Sequence, residues 1–284
     1  MKALLKILPV VLLSLVFNAT YLSAADLSLG VTSWYAMWDE KIKSPEGTED
    51  PKTKSTLMAG PVLGFRFFEN WRLGAQFYIG KMEMKNPTID YDVSSVMFID
   101  RDEKYLRFDS DITLGYQWFP WLNTYAGYKY FGYNTDKSKV YYENGATCTG
   151  IQESETKERL HGLGLGASTS LEVYDSLYFS LNGSGMKIRG RMKSEDEEYN
   201  GSGVYQGTET SKNNINGWGA NLTTALSYYI SSASTTISLG YRYQYLKTKI
   251  KFPSDSGIGE DTITIKDKFH GVTLAAIYNI PGIW

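Results

Sequence analysis

Apolar and polar side chains alternate along most of this chain, most clearly in residues 157–193. From residue 163 to residue 173 the odd-numbered positions are apolar apart from Thr169, whereas the even-numbered positions are mostly glycine and serine. A short turn at residues 174–176 follows, and Leu177, Phe179 and Leu181 then resume the alternation. A period of two predicts β-strands with two unlike faces, so this stretch is expected to form a hairpin.

The composition of the two faces indicates which one meets the solvent. The polar face of the hairpin carries glycine and serine, which are small enough for the crowded interior of a narrow barrel. Each apolar run is about 9–11 residues long, the length that a tilted strand needs to cross a membrane. The pattern therefore predicts apolar side chains facing lipid on the outside and small polar side chains inside.

Ten segments have strand character, and they predict an all-β fold, a ten-stranded antiparallel transmembrane barrel. Tight turns are expected at residues 69–70, 120–121, 174–175 and 231–234. Five long polar extracellular loops are expected at residues 39–54, 85–102, 134–156, 194–213 and 252–265. Short turns on one side and long loops on the other place both termini in the periplasm. The predicted strands are 26–38, 55–68, 71–84, 103–119, 122–133, 157–173, 176–193, 214–230, 235–251 and 266–280.

The first 25 residues have the character of a secretory signal peptide. Lys2 and Lys6 precede an apolar run, and small residues stand before Asp26. Residues 26–284 are then expected to form a single barrel domain in the bacterial outer membrane. The formal charge of −2 excludes little by itself, and the lone Cys148 leaves no partner for an internal disulfide.

Several features together resemble Gram-negative outer-membrane β-barrels. The chain ends in an aromatic residue, Trp284, as do last strands read by the barrel-assembly machinery, which the resemblance implies as a partner during biogenesis. Ten strands resemble the omptin proteases, as do Asp90-Tyr91-Asp92 and Asp196-Glu197-Glu198-Tyr199. The second motif has Glu198 where omptins carry the catalytic His. The resemblance thus implies omptin-like topology without the omptin catalytic His.

Basic residues continue the outward face of several strands beyond its apolar part. Two residues on one face lie roughly 6–7 Å apart along a strand, a spacing able to follow the phosphates and carboxylates of lipopolysaccharide. One interpretation is a dedicated lipid site, and the alternative is the ordinary basic rim of an outer-membrane barrel. Lys41, Lys81, Lys104 and Lys212 share this outward parity. The candidate lipid-binding residues are Lys157, Arg159, Lys187, Arg189, Arg191, Lys193, Lys247, Lys249, Lys251, Lys266 and Lys268.

Charged residues of both signs have inward parity and form a candidate polar cluster in the lumen. Ten strands enclose a narrow interior, so opposite charges there are expected to pair and largely fill it. A thin water-filled path for small solutes is the alternative. The cluster comprises Arg66, Arg72, Arg107, Asp109, Asp111, Lys129, Glu172 and Arg242.

The chain offers few residues for catalysis. Its two histidines, His161 and His270, are predicted on the outward face of strands far apart around the barrel. No spaced metal-ligand set, cofactor motif or aromatic-backed basic groove for nucleic acid is apparent. The sequence therefore predicts a non-enzymatic barrel anchored in lipopolysaccharide that presents surface loops to a ligand. A narrow porin-like channel and a divergent omptin-like protease are the alternatives.

Overall fold

Ten long antiparallel strands form a closed barrel, with four short strands at its rim. The computed structural model describes residues 26–45, 47–85, 96–98, 102–135, 138–144, 147–253 and 260–280. The expected signal segment, the Asp90-Tyr91-Asp92 motif and the terminal Trp284 lie outside these residues. The strands are β1 (Asp26–Lys43), β2 (Thr48–Glu49), β3 (Lys52–Thr53), β4 (Thr56–Phe67), β5 (Trp71–Lys85), β6 (Val96–Phe98), β7 (Asp102–Phe119), β8 (Leu122–Thr135), β9 (Ser138–Asn144), β10 (Thr147–Tyr174), β11 (Leu177–Asn200), β12 (Tyr205–Ile230), β13 (Thr235–Pro253) and β14 (Glu260–Ile280).

The long strands pair in chain order around the ring. The first and last close it, with Leu27 of β1 opposite Ile280 of β14, and β10 pairs with both β8 and β11. The short strands β2, β3, β6 and β9 extend the sheet at the extracellular rim. Because every long strand has two neighbours, the barrel leaves no exposed edge along its wall. The predicted all-β, ten-stranded barrel is confirmed.

The predicted orientation of the two faces is confirmed across the apolar band, which runs on β10 from Leu163 to Val173. Leu165 is 72% exposed on the outside, and Leu239 on β13 is 59% exposed. On the inward face a Cβ on Gly164 would meet the backbone oxygen of Gly185 at 2.3 Å. Large apolar side chains exposed to this degree are stabilised by lipid rather than by water.

Above this band the polarity of the two faces is reversed, although the register of each strand continues. On β5 the outward positions change to Lys81 and Glu83, while Met82 and Met84 are buried inside. The interior of this upper part is an apolar core, contrary to the expectation that small polar residues fill the whole lumen. Its largest members are Trp34, Met58, Met82, Phe131, Ile188, Ile215, Leu246 and Phe269.

Four of the five predicted long loops are largely strand in the structure, including residues 39–54, which hold the end of β1 together with β2 and β3. The expected loop 194–213 is the continuation of β11 and β12, joined by a turn at residues 201–204. Residues 147–156 belong to β10, and β13 and β14 pair as far as Pro253 and Glu260. In this extension both faces carry polar residues, so the alternation that marks a half-buried strand is lost while the backbone ladder continues.

The opposite end of the barrel has the predicted tight turns. Phe68 and Glu69 adopt left-handed φ angles of 47° and 57° in the β4–β5 turn, a conformation typical of short hairpins. A single turn of 3-10 helix at Ser231–Ala233 joins β12 to β13. Nowhere in the described ranges is there a helix long and apolar enough to span a bilayer.

Candidate functional site

The predicted lipid-binding residues form one basic belt, which we define as the outward Lys and Arg side chains above the apolar band on β10 to β14 and β1. The belt runs across β10, β11, β12, β13, β14 and β1, which are neighbours in the sheet. On β11, Lys187, Arg189 and Arg191 are exposed, and Ile188 between them is fully buried. The hairpin and the β13–β14 groups therefore belong to one continuous surface, bridged by β12.

Like charges lie directly opposite one another within the belt. Arg159 faces Arg191, and Lys157 faces Lys193, which in turn faces Lys212 on β12. A second row joins Lys247 of β13, Lys266 of β14 and Lys41 of β1. Like charges at directly opposed positions destabilise a sheet.

Acidic neighbours offset part of this repulsion. Lys157 contacts Glu155 at 2.7 Å, Lys193 pairs with Glu195, and Lys41 contacts Asp50 at 3.0 Å. Within the described part of the chain, Lys187, Arg189, Arg191, Lys247, Lys249, Lys266 and Lys268 have no carboxylate partner. Lys251 does have an interaction partner. Most of the belt thus keeps its N–H donors available to an external anion.

Inside the barrel, the structure brings together five residues of the predicted lumen cluster. Arg107 donates to both carboxylate oxygens of Asp109, at 2.8 and 2.7 Å, and to Oε1 of Gln244 at 2.9 Å. Lys129 pairs with Asp111 at 2.5 Å. Arg242, also buried, stacks 4.6 Å from the ring centroid of Trp34. We call Arg107, Asp109, Asp111, Lys129 and Arg242 the buried charge layer.

Three members of the predicted cluster lie elsewhere. Arg66 is at the periplasmic mouth, where it pairs with Asp26, and Arg72 donates to Gln117 at 2.5 Å. Glu172 is exposed near the β10–β11 turn and accepts a hydrogen bond from the backbone N–H of Ser176. Arg66 and Arg72 do line the cavity at the periplasmic mouth. Parity does not specify the height of a residue along the barrel axis, and a difference in height separates all three residues from the layer.

Sequence reasoning missed the residues that pack around the charge layer inside the barrel. Trp34, Phe131 and Phe269 have no exposed surface, and the guanidinium of Arg107 lies 3.7 Å from the Phe269 ring centroid. Gln244, also fully buried, accepts from that guanidinium. Trp34 precedes exposed Tyr35, and Phe269 follows exposed Lys268, so the inward parity of both was the available signal.

Cavities remain on both sides of this filled section. On the periplasmic side, a cavity of about 600 Å³ at the mouth shares Gly74, Thr113, Asn123 and Tyr125 with a deeper one of about 320 Å³. On the extracellular side, a cavity of about 400 Å³ is lined by Tyr105, Ser154, Glu158, Asp196 and others. The two sides share no lining residue.

Two carboxyl groups in the extracellular extension are perturbed by their surroundings. Burial raises the pKa of Glu158 to about 7, and the charge of Asp267 adds to the shift. Burial also raises the pKa of Asp267, opposed by a hydrogen bond from Trp38 and by the charge of Arg107. Of the omptin-like motif, Asp196 accepts from Ser154, and Glu197 accepts from Tyr199 at 2.9 Å.

Both histidines sit on the outside of the barrel at the belt, as their parity predicts. Nδ1 of His161 lies 2.6 Å from the Tyr128 hydroxyl, and Nδ1 of His270 lies 2.9 Å from that of Tyr241. Nε2 of His270 is 3.6 Å from Asp39. In the described portion of the chain, no cluster of three or more His, Cys, Asp and Glu residues is arranged to hold a metal ion.

Comparison with known proteins identifies the fold. No protein-family model matches this chain, and no curated protein matches it in sequence. The outer membrane protease OmpT from Escherichia coli has a similar structure, with a TM-score of 0.55 and 11% identity over 90% of this chain and 97% of that one. The translocator domain of the autotransporter NalP from Neisseria meningitidis matches at a TM-score of 0.44 and 10% identity, over 98% of this chain and 96% of that one.

The first of these likenesses shows a shared fold, that of a ten-stranded outer-membrane β-barrel. An outward apolar band of the height of a membrane, with a basic belt above it, is the physical counterpart of that fold. Together they place this protein in the outer membrane.

Proposed function

We propose that this protein is a closed, non-enzymatic outer-membrane barrel whose basic belt binds the phosphate groups of lipopolysaccharide and whose extension presents a surface to partners. The observation that carries the proposal is the opposition of like charges at Arg159–Arg191 and at Lys247–Lys266, none of which has a carboxylate partner among the described residues. Such opposed charges are unfavourable in water and become favourable when anionic groups lie between the cations.

The position of the belt supports the same ligand. Lys187 lies opposite Leu163, at the upper limit of the apolar band, so a lipid with its acyl chains on the band brings its headgroup to the belt. Neighbouring strands are about 4.8 Å apart, and alternate residues on one strand roughly 6–7 Å apart. An array of several cations at these spacings can contact several phosphates of one headgroup, which a single surface lysine cannot.

The filled lumen supports the closed rather than the channel-forming alternative. The layer containing Trp34, Arg107 and Phe269 lies between the periplasmic and extracellular cavities. The outward histidines, each hydrogen-bonded to a tyrosine at the belt, support a non-enzymatic role because neither lines any of the cavities described above.

Retention of lipopolysaccharide during purification tests this proposal. Replacing Arg189 and Arg191 by Gln together should lower the amount of co-purifying lipopolysaccharide severalfold, because two charge-assisted contacts are lost. The matched control is the double variant R66Q/R72Q. It also removes two positive charges, but at the periplasmic mouth, and it should retain the lipopolysaccharide. Equal retention by both variants would reduce the belt to a generic rim and overturn the proposal.

A further inference from the structure

We propose that the deeper periplasmic cavity is a binding site for a small oxyanion, with Arg242 as its principal ligand. The cavity, of about 320 Å³, is lined by Asp111, Tyr125, Lys129, Asn182, Ser184, Asn221 and Arg242 among others. It lies inside the barrel below the charge layer and shares its wall with the larger cavity at the periplasmic mouth. It is therefore distinct from the belt, which is on the outside at the other end.

Arg242 is the one cation of the buried charge layer that lacks a carboxylate partner among the described residues. Arg107 is held by Asp109, and Lys129 by Asp111. Arg242 is only 5% exposed, its Nε has no hydrogen-bond acceptor, and its contacts are the faces of Trp34 and Tyr78 at 4.6 and 5.1 Å. Aromatic faces stabilise the positive charge, but they leave the edge of the guanidinium without acceptors.

The buried charge layer as a whole also carries more positive than negative charge. Within the layer, the three cations Arg107, Lys129 and Arg242 stand against the two carboxylates Asp109 and Asp111, which leaves one positive charge in excess. The carboxyls of Asp267 and Glu158 are also buried, but neither lines the cavity: Asp267 accepts from Trp38 and its charge interacts with Arg107, and Glu158 lines the extracellular cavity. An uncompensated buried charge is costly, so a bound anion would stabilise the folded barrel.

The other polar groups of the cavity are suited to an oxyanion. Asn182 accepts from Tyr125 at 2.7 Å through its amide oxygen, and among the described residues its amide nitrogen donates to no other group. Ser184 accepts from the amide nitrogen of Asn221 at 3.4 Å. Hydroxyl and amide donors around a planar guanidinium form the donor set that binds phosphate, sulfate and carboxylate.

The path to the site is also cationic. Arg66 and Arg72 line the mouth of the outer cavity, and Asp26 is the one carboxylate among its lining residues. Converging positive potential in a narrow, low-dielectric passage raises the local concentration of anions. The extracellular route is filled by Trp34, Phe131 and Phe269, so the anion enters from the periplasm.

Titration calorimetry of the lipid-free protein with inorganic phosphate or sulfate, against chloride at matched ionic strength, tests the site. Wild-type protein should bind one oxyanion, and R242Q should bind it roughly tenfold more weakly or worse, as expected for a lost charge-assisted hydrogen bond. The control is R189Q, which removes an arginine from the belt and should keep the binding. Equal weakening in R189Q and R242Q would show that the belt is the binding surface and overturn the proposal.

A second variant keeps the test decisive should R242Q fail to fold. Thr223 lies directly opposite Arg242 in the β12–β13 ladder and lines the same cavity, so T223D places a carboxylate beside the guanidinium. The T223D barrel should melt at a higher temperature than wild type in anion-free buffer, and phosphate should no longer raise its melting temperature. A phosphate-induced shift retained in T223D would show that phosphate binds elsewhere, and the absence of a shift in wild type would show that water alone fills the cavity; either result overturns the proposal.

Discussion

Arg107 and Asp109 lie two residues apart on β7 and form a bidentate ion pair inside the barrel, with N–O distances of 2.8 and 2.7 Å. The Arg107 side chain has no exposed surface, and that of Asp109 is 3% exposed. Because both point inward from one strand, the pair is independent of strand register. The guanidinium also reaches across the lumen to Gln244 on β13, and so links opposite walls.

Breaking this pair should be strongly destabilising. R107M should lower the free energy of unfolding by about 3–5 kcal/mol, because Asp109 is then buried without its partner. D109N added to R107M should recover part of the loss, since the orphaned charge is removed. Urea unfolding in detergent micelles measures both. The exposed Arg66–Asp26 pair is the control, and its coupling should stay below about 1 kcal/mol. Strict additivity at Arg107 and Asp109 would contradict this description of the lumen.

The outward apolar band makes a second prediction. Arginine in place of Leu239, between Ile237 and Tyr241 on the outward apolar face of β13, should lower the free energy of unfolding in lipid by about 2–4 kcal/mol. The control is Val204→Arg in the β11–β12 turn, which is 57% exposed above the membrane and should leave stability unchanged. Refolding into vesicles under a urea gradient gives both values. If the two substitutions cost the same, the band does not face acyl chains.

Glu158 predicts how stability depends on pH. Its pKa is about 7 in the folded barrel against an ordinary 4.5, so the folded state binds more protons between these values. Its contribution to stability is then fully present below pH 4.5 and is lost as the pH rises through 7. Urea unfolding across this range should show E158Q with a shallower decline than wild type. Glu155→Gln on the outward face of the same strand should keep the wild-type slope.

The residues that fill the lumen predict a gain of function. Trp34 and Phe269 are fully buried, with ring centroids 6.4 Å apart. Replacing both by Ala removes the largest apolar groups of the closing layer, and we expect the double variant to show ion conductance. The matched control is the double variant Leu163→Ala with Leu165→Ala, which removes apolar volume from the lipid-facing side. This control should show no ion conductance. If the Trp34/Phe269 double variant shows no conductance, residues other than these two close the barrel.

How much of the fold and of the candidate site could be predicted from the sequence depends on where a residue lies along the barrel axis. Across the membrane, lipid on one side and a crowded interior on the other impose a strict period of two, and residues such as Leu165 and Gly164 show it directly. The same parity correctly oriented Arg189 and Arg107. It also allowed the inward charges to be recognised, although not the height that separates Arg72 from Arg242.

Above the membrane the same reasoning was less successful, for a physical reason. There the solvent outside is water, so the outward face becomes charged at Lys81 and Lys187, while Met82 and Ile188 are buried inside. If lipid is assumed to surround the whole length of each strand, the interior of this upper part is predicted to be polar, whereas the structure has apolar side chains there. Where both faces are polar, as in residues 194–200 of β11, periodicity carries no signal and only backbone pairing defines the strand.

Single-channel recording in planar bilayers tests most directly the claim that this barrel is closed. With Trp34, Arg107, Phe131 and Phe269 filling the lumen, the wild-type protein should insert without producing conductance steps. Regular steps of uniform size from the purified, folded protein would show a continuous aqueous path and contradict the account.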